Sequence, residues 1–234
     1  MIGQGRADWL APASLKDATQ VQHRIAALCE TADRIGGVAT IAGADVSMKW
    51  RDQKGPVHAA IAPFGWPDAA LRPAAVATVL PRFPYVPGYL GFREAPALVA
   101  AWARIEGPRP DLLVVDGQGR AHPRRCGVAT HIGVLLDVAT IGIAKSLLCG
   151  TVEGEVGPEP GDRAPVVDRG EVVALALRTS ARGQPVFVST GHRVSLETAA
   201  EWVMALSGGR RHALPIRLAH DAANAARRAA EVQA

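Results

Sequence analysis

A chain of 234 residues, 48% hydrophobic and 21% charged, has the composition of a soluble globular protein with room for one large domain. A formal net charge of +4 permits nucleic-acid binding without requiring it. No apolar run reaches the roughly 18 residues of a membrane helix, and the N-terminus lacks the apolar core of a signal peptide. Cys29, Cys126 and Cys149 are too scattered for a disulfide framework or a zinc site, which favours a reducing cytoplasm.

Residues 14–35 read as a first helix: Ser14 is a plausible N-cap, Val21, Ile25 and Leu28 form an apolar stripe, and Gly36-Gly37 ends it. Val38–Met48 reads as a strand that puts Asp45 on the same face as Ile41 and Gly43. A carboxylate there is costly unless it is paired, bound to a metal, or at a strand end facing water. A polar turn at Arg51–Pro56 leads to two more strands, Val57–Phe64 and Pro73–Leu80, completing an antiparallel meander. Arg82–Arg93 breaks this pattern. Pro84 and Pro87 bracket Tyr85 and Val86 and stiffen the segment, so Tyr85 is either a rigid exposed tip suited to stacking on bases or an aromatic packed under a loop. Glu94 opens a helix to Glu106, where its charge also suits the helix dipole.

Leu112–Val115 is apolar, rich in β-branched residues and too short for a helix, so it reads as a buried strand. Asp116 ends it, and Gly117-Gln118-Gly119 turns the chain. Ligands bind at the carboxyl ends of strands in α/β sheets, and the following His122, Arg124 and Arg125 either suit a phosphate or form a solvated basic loop after a strand-ending turn. Residues 126–138 read as a helix with His131 on its packed face, most simply a core histidine. Thr140–Leu148 reads as a strand with Lys145 near its far end, contacting phosphate or solvent. A surface loop at Gly150–Pro165 precedes a hairpin turning at Asp168-Arg169-Gly170. Pro185–Ser189 is a short strand, and Ser195 caps a helix over Leu196–Ser207. His192 reads as basic loop material, with or without a function, and Arg210-Arg211-His212 as a positive, solvated turn. From Pro215 an Ala-rich helix carries Arg217 and His220. A single domain over residues 1–234 is expected, with 1–13 and 222–234 as flexible ends.

Asp45, Glu94 and Asp116 each begin or end an apolar element and can converge in one fold. Carboxylate oxygens suit hard divalent cations, and Mg²⁺ binds a few carboxylates together with substrate phosphate. The order of three meander strands, helix, strand, helix, strand is that of a ribonuclease H-like α/β fold, a central mixed β-sheet flanked by helices.

Several segments carry a more specific signal: IAGADVS (41–47), PYVPGYLGFRE (84–94), PDLLVVDGQGRAHPRR (110–125), GVATHIGVLLDVATIGIAKSLLCG (127–150), VFVSTGHRVS (186–195) and RLAH (217–220). Together and in this order they resemble the endonuclease V family of deoxyinosine 3′ endonucleases. The resemblance implies a metal site of Asp45 and Asp116, with Glu94 bound directly or through water, to which His220 contributes by holding metal-bound water. It places Lys145 near the scissile phosphate. Pro84, Tyr85, Val86 and Pro87 would form a strand-separating wedge, and Gly88, Leu90, Gly119 and His122 the pocket for a flipped hypoxanthine. The implied reaction is Mg²⁺-dependent DNA repair chemistry, with Mn²⁺ as a substitute. One strand is cut at the second phosphodiester bond 3′ to the lesion, leaving 3′-hydroxyl and 5′-phosphate ends. The partner is deoxyinosine-containing DNA, or, as an alternative, inosine in RNA. A monomer is expected. A non-catalytic lesion binder would need a broken acid set, and the matched acids are all present. Ser-Leu-Leu follows Lys145 where a basic residue is common, and Ile216 stands before Arg217 where Thr is usual.

Overall fold

The computed structural model describes residues 8–49, 52 and 54–233. Residues 1–7 of the expected flexible start, and positions 51 and 53 of the expected polar turn, lie outside that range.

Helix α1 (Leu15–Leu28) starts where Ser14 accepts a hydrogen bond from the Asp17 N–H and stops seven residues before the expected end. Strands β1 (Thr40–Ser47), β2 (Val57–Gly65) and β3 (Ala75–Val79) form the antiparallel meander. Helix α2 (Leu90–Ala103) leads to β4 (Leu112–Asp116), and α3 (Val128–Leu136) leads to β5 (Ala139–Ala144). Both β4 and β5 run parallel to β1, as short apolar strands joined through helices should. The expected loop at 150–165 instead holds β6 (Thr151–Val152) and the start of β7 (Arg163–Asp168). Strand β7 pairs with β8 (Glu171–Leu177) about a turn with left-handed Arg169 and Gly170. Strand β9 (Val186–His192), α4 (Leu196–Ser207) and α5 (Leu214–Gln233) complete the chain.

The sheet order is β3-β2-β1-β4-β5-β9-β8-β7-β6, so β1 and β4 lie side by side near its middle. Alternation along the central strands sends their side chains into two cores. Ile41, Leu112, Val114 and Ile141 pack under α4 and α5, with Val203 and Ile216. Ala42, Ala44, Leu113 and Val115 pack under α2 and α3, with Leu98 and Ile132. The result is the ribonuclease H-like arrangement of a mixed sheet between helices. Helix α1 lies outside α3, over a small core that includes Trp9, Ile25, Phe83 and Phe92. Two expectations change at the helix ends. Glu94 falls in the second turn of α2, since the helix begins at Leu90 and has no acid in its first turn. The expected flexible stretch from 222 is helical through Gln233, and Ala223 is buried.

Candidate active site

The site lies at the carboxyl ends of β1 and β4. Their parallel register pairs Ala44 with Val115, so the acids one residue on, Asp45 and Asp116, come side by side. Both belong to the face covered by α5. That helix comes close because Gly43 has no side chain: a Cβ there would lie 1.8 Å from the Pro215 carbonyl oxygen. Helix α5 thereby delivers His220, whose Nδ1 lies 2.8 Å from Asp45 Oδ2. Ligand atoms of Asp45, Asp116 and His220 all fall within 4.8 Å of one another. Burial, and then the neighbouring Asp116 carboxylate, push Asp45 up to about 6, against the pull of His220 and the Val46 N–H.

Glu94 reaches the same place from α2 and is buried. It is not one of the three closely grouped ligand residues, although Asp45 and Asp116 both act on it electrostatically. Burial, then repulsion from Asp45 and Asp116, push it up to about 8, opposed by Arg93. Raised acids in one place are carboxylates whose charges are not neutralised by the surrounding protein. Hard oxygen donors with uncompensated negative charge fit a divalent cation of the Mg²⁺ type. Lys145, just past the end of β5, donates to Asp116 Oδ2 at 2.8 Å and keeps half its side chain exposed.

A cleft of about 410 Å³ opens beside these groups, with Glu94, Asp116 and Lys145 on its wall. Tyr85 stands at its rim, 51% exposed, which selects the rigid-tip reading over the packed one. Pro84 and Pro87 beside it are also exposed, and Val86 is half-buried. The loop is held from below by Phe83, which is buried against Phe92, and by Arg93, which donates to the Phe83 carbonyl. Gly88, Leu90 and His122 line the cleft. Gly88 adopts a left-handed φ of 78°. Its carbonyl accepts from Gln22 Nε2, His122 Nε2 and Arg124 Nη2 at 3.0, 2.9 and 2.6 Å. His122 takes the Arg124 N–H on Nδ1, and burial pushes its pKa down to about 4, so it is a neutral brace.

Gly119 is not in the cleft. Its N–H is given to Ser189 Oγ and its carbonyl to the Gly127 N–H, and a Cβ would strike the Thr190 carbonyl at 2.1 Å. It is a packing position under the DGQG turn. His131 is a core histidine, bonded through Nε2 to the Trp9 carbonyl. His192 braces Glu30, whose N–H it accepts, away from the acids. The sequence reading missed three contributors and misassigned a fourth, Arg124, which it gave to a phosphate or to solvent and which instead bonds the Gly88 carbonyl, while Arg125 pairs with Asp168 and Glu171. Gln22 and Arg124 fix the Gly88 peptide, although nothing in a helix stripe or a basic loop marks them for it. Cys126, a buried thiol, lines the cleft. His212, read as solvated, shares a second cavity of about 220 Å³ with Asp116, Lys145 and His220.

Comparison with known proteins matches this architecture. The sequence model of the endonuclease V family matches residues 20–221. Endonuclease V of Rhodospirillum centenum is 47% identical over 227 residues, covering 96% of this chain and 93% of that protein. The structure of endonuclease V from Streptomyces avermitilis superposes with a TM-score of 0.86 at 35% identity, covering 94% of this chain and 96% of that one. Endonuclease V of Ciona intestinalis, bound to a 24mer DNA containing an inosine followed by a ribo-adenosine, superposes with a TM-score of 0.77 at 26% identity. It covers 92% of this chain and 98% of its own. With its acids at the strand ends and its match running from α1 into α5, the chain belongs to the endonuclease V family of nucleases.

Proposed function

We propose that this protein is a divalent-metal-dependent endonuclease that recognises deoxyinosine in DNA and hydrolyses the second phosphodiester bond 3′ to it. The observation that carries this reading is the meeting of three carboxylates, Asp45, Glu94 and Asp116, the last two on the wall of a cleft whose rim holds an exposed tyrosine. Family membership supports the nuclease activity, and the inosine-containing DNA in the Ciona complex supports the substrate.

Asp45 and Asp116, with Glu94 directly or through water, would hold the cation, Mg²⁺ or in its place Mn²⁺. It would supply positive charge at the scissile phosphate and at the departing oxygen. The chain's own residues do the rest. Lys145, half-exposed beside Asp116, offers its ammonium to the phosphate being cut. Hydrolysis forms a bond from water oxygen to phosphorus and breaks the bond to the 3′-oxygen, which leaves protonated. Tyr85, stiffened by its flanking prolines, fills the gap left when the lesion leaves the stack. Unstacking costs a few kcal/mol and least at a mispaired base, so a wedge favours lesions. The cleft beside Gly88 and Leu90, its wall stiffened by Gln22, His122 and Arg124, receives the extruded base.

A second reading, inosine in RNA as substrate, is favoured by one observation: the relative's bound DNA carries a ribonucleotide directly after the inosine. A strand-cleavage assay with Mg²⁺ decides between them. It compares a duplex with one deoxyinosine, the same duplex without it, and a matched inosine RNA. A single DNA nick at the second bond 3′ to the lesion, abolished by EDTA, is expected. Cutting of RNA alone would move the role to RNA metabolism, and no cutting of either would overturn both readings. With Tyr85→Ala, the preference for the deoxyinosine duplex over the undamaged one should narrow.

A further inference from the structure

Helix α5 presents His220, Asn224, Arg227 and Glu231 at intervals of four, three and four residues, one face of the helix, turned toward β1. Three of the four lie beyond residue 221, where the family match ends. They form a continuous hydrogen-bonded chain with Ser47, the last residue of β1. Arg227 is held by Glu231 at 2.8 Å and donates through Nε to Ser47 Oγ at 3.0 Å. Ser47 Oγ donates to Asn224 Oδ1 at 2.7 Å. Asn224 Nδ2 meets His220 Nε2 at 2.9 Å, and His220 Nδ1 meets Asp45 Oδ2 at 2.8 Å.

The direction of this chain follows from its donors and acceptors. The Arg227 guanidinium only donates and Asn224 Oδ1 only accepts, so Ser47 Oγ accepts from Arg227 and gives its own hydrogen to Asn224. With its oxygen on Ser47, Asn224 turns its amide hydrogens to His220. An amide N–H facing Nε2 requires a lone pair there, which leaves the ring hydrogen on Nδ1, donated to Asp45. Both ring nitrogens are then taken: Nε2 by Asn224 and Nδ1–H by Asp45.

We infer that Asn224, Ser47 and Arg227 are positioning residues that lock His220 with its hydrogen on Nδ1, so that His220 orients the Asp45 carboxylate and stays outside the cation's own ligands. This rests on the reading of Asp45 and Asp116 as a cation site. It leaves that site with carboxylate oxygens only, the donor set Mg²⁺ favours over nitrogen. Groups that hold a ligand residue in this way typically matter 10–100-fold for metal affinity.

The test reads the ring directly. In ¹⁵N-histidine-labelled protein, long-range ¹H–¹⁵N correlations report which nitrogen of His220 carries hydrogen, first without metal and then with saturating Mg²⁺. The Nδ1–H form is expected in both. An Nε2–H ring, or a ring nitrogen that acquires a metal-bound shift with Mg²⁺, would overturn the inference. Manganese affinity, measured by the loss of the free-ion electron paramagnetic resonance signal, gives the second readout. Asn224→Ala and Ser47→Ala should each weaken Mn²⁺ binding about tenfold and release the ring into mixed tautomers. Ser47→Thr keeps the hydroxyl and should restore both, which a merely structural contact would not require. Unchanged affinity and an unchanged ring in Asn224→Ala would also overturn the inference. Wild-type protein that shows the Nδ1–H ring but binds no Mn²⁺ would support the hydrogen-bonded lock while rejecting the cation site itself.

Discussion

Lys145 shows how single residues in this cleft hold opposed tasks. Its ammonium lies 2.8 Å from Asp116 Oδ2, so it competes with a cation for that carboxylate while offering charge to a phosphate. Replacing it separates the two effects. Lys145→Ala should tighten binding of Mn²⁺ or Mg²⁺ a few-fold, since an exposed ion pair of this kind is worth at most about 1 kcal/mol. The same substitution should slow cleavage by on the order of 10²-fold, the usual loss when one stabilising donor is removed from a reacting centre. Titration calorimetry of metal binding and single-turnover cleavage would measure the two. Metal binding and cleavage that weaken together would mean that Lys145 only supports the geometry of Asp116. Glu94 is the counterpart on α2, a buried acid whose charge only becomes tolerable when something positive is nearby.

At the level of elements, the site depends on how closely α5 lies on β1. Gly43 sets that distance, with the Pro215 carbonyl where its Cβ would be. Gly43→Ala must push the helix out and carry His220 away from Asp45. Overpacking of this kind costs about 1–3 kcal/mol, readable in a denaturant titration. Cleavage under conditions where the variant is fully folded should fall more steeply than stability does. Full activity in folded Gly43→Ala protein would show that α5 need not be tightly seated. Much of this part was legible in the sequence. Alternation put Asp45 and Gly43 on one face, and the β-branched run before Asp116 marked a buried strand end. The start of α2 was misjudged because Leu90–Arg93 follow a Pro-Gly turn and look like loop, although Phe92 and Arg93 are buried once the helix forms. The end of α5 was misjudged for a different reason. Ala-rich sequence carries no signal of a partner, and Asn224 finds its partner Ser47 177 residues away. Long-range polar pairing of this sort leaves no periodic trace. The same holds for Gln22, whose contacts to Gly88 and Cys126 cross from α1 to the cleft.

For the whole molecule, the sheet holds two well-packed cores apart and leaves its concentrated negative charge at their common edge, so folding and metal binding are linked through pH. Asp45, raised to about 6, and Glu94, raised to about 8, bind protons more tightly in the folded chain than in the unfolded one. Their contribution to stability is fully present below the ordinary carboxylate values of 3.8 and 4.5 and is lost as pH rises through 6 and then 8. The histidines pull the other way at lower pH. His122 and His131 are held near 4, so the unfolded chain takes up protons below 6.5 that the folded one does not, and stability rises with pH up to that point. Buried Cys126, with a thiol raised from 9.0, acts only at the alkaline end. Between pH 6.5 and 8 the acids therefore set the slope, and Glu94 dominates it. The melting temperature of the metal-free protein should fall across that interval. Glu94→Gln should flatten the fall and raise the melting temperature near pH 8. Saturating Mg²⁺ should reverse it for the native sequence, because a cation binds the ionised carboxylates and gains as they lose their protons. Thermal melts of both proteins in EDTA and in Mg²⁺ supply all four curves. A fall of equal slope in Glu94→Gln would place the destabilising charge elsewhere, and a slope that Mg²⁺ leaves unchanged would mean that the carboxylate edge does not take up the ion.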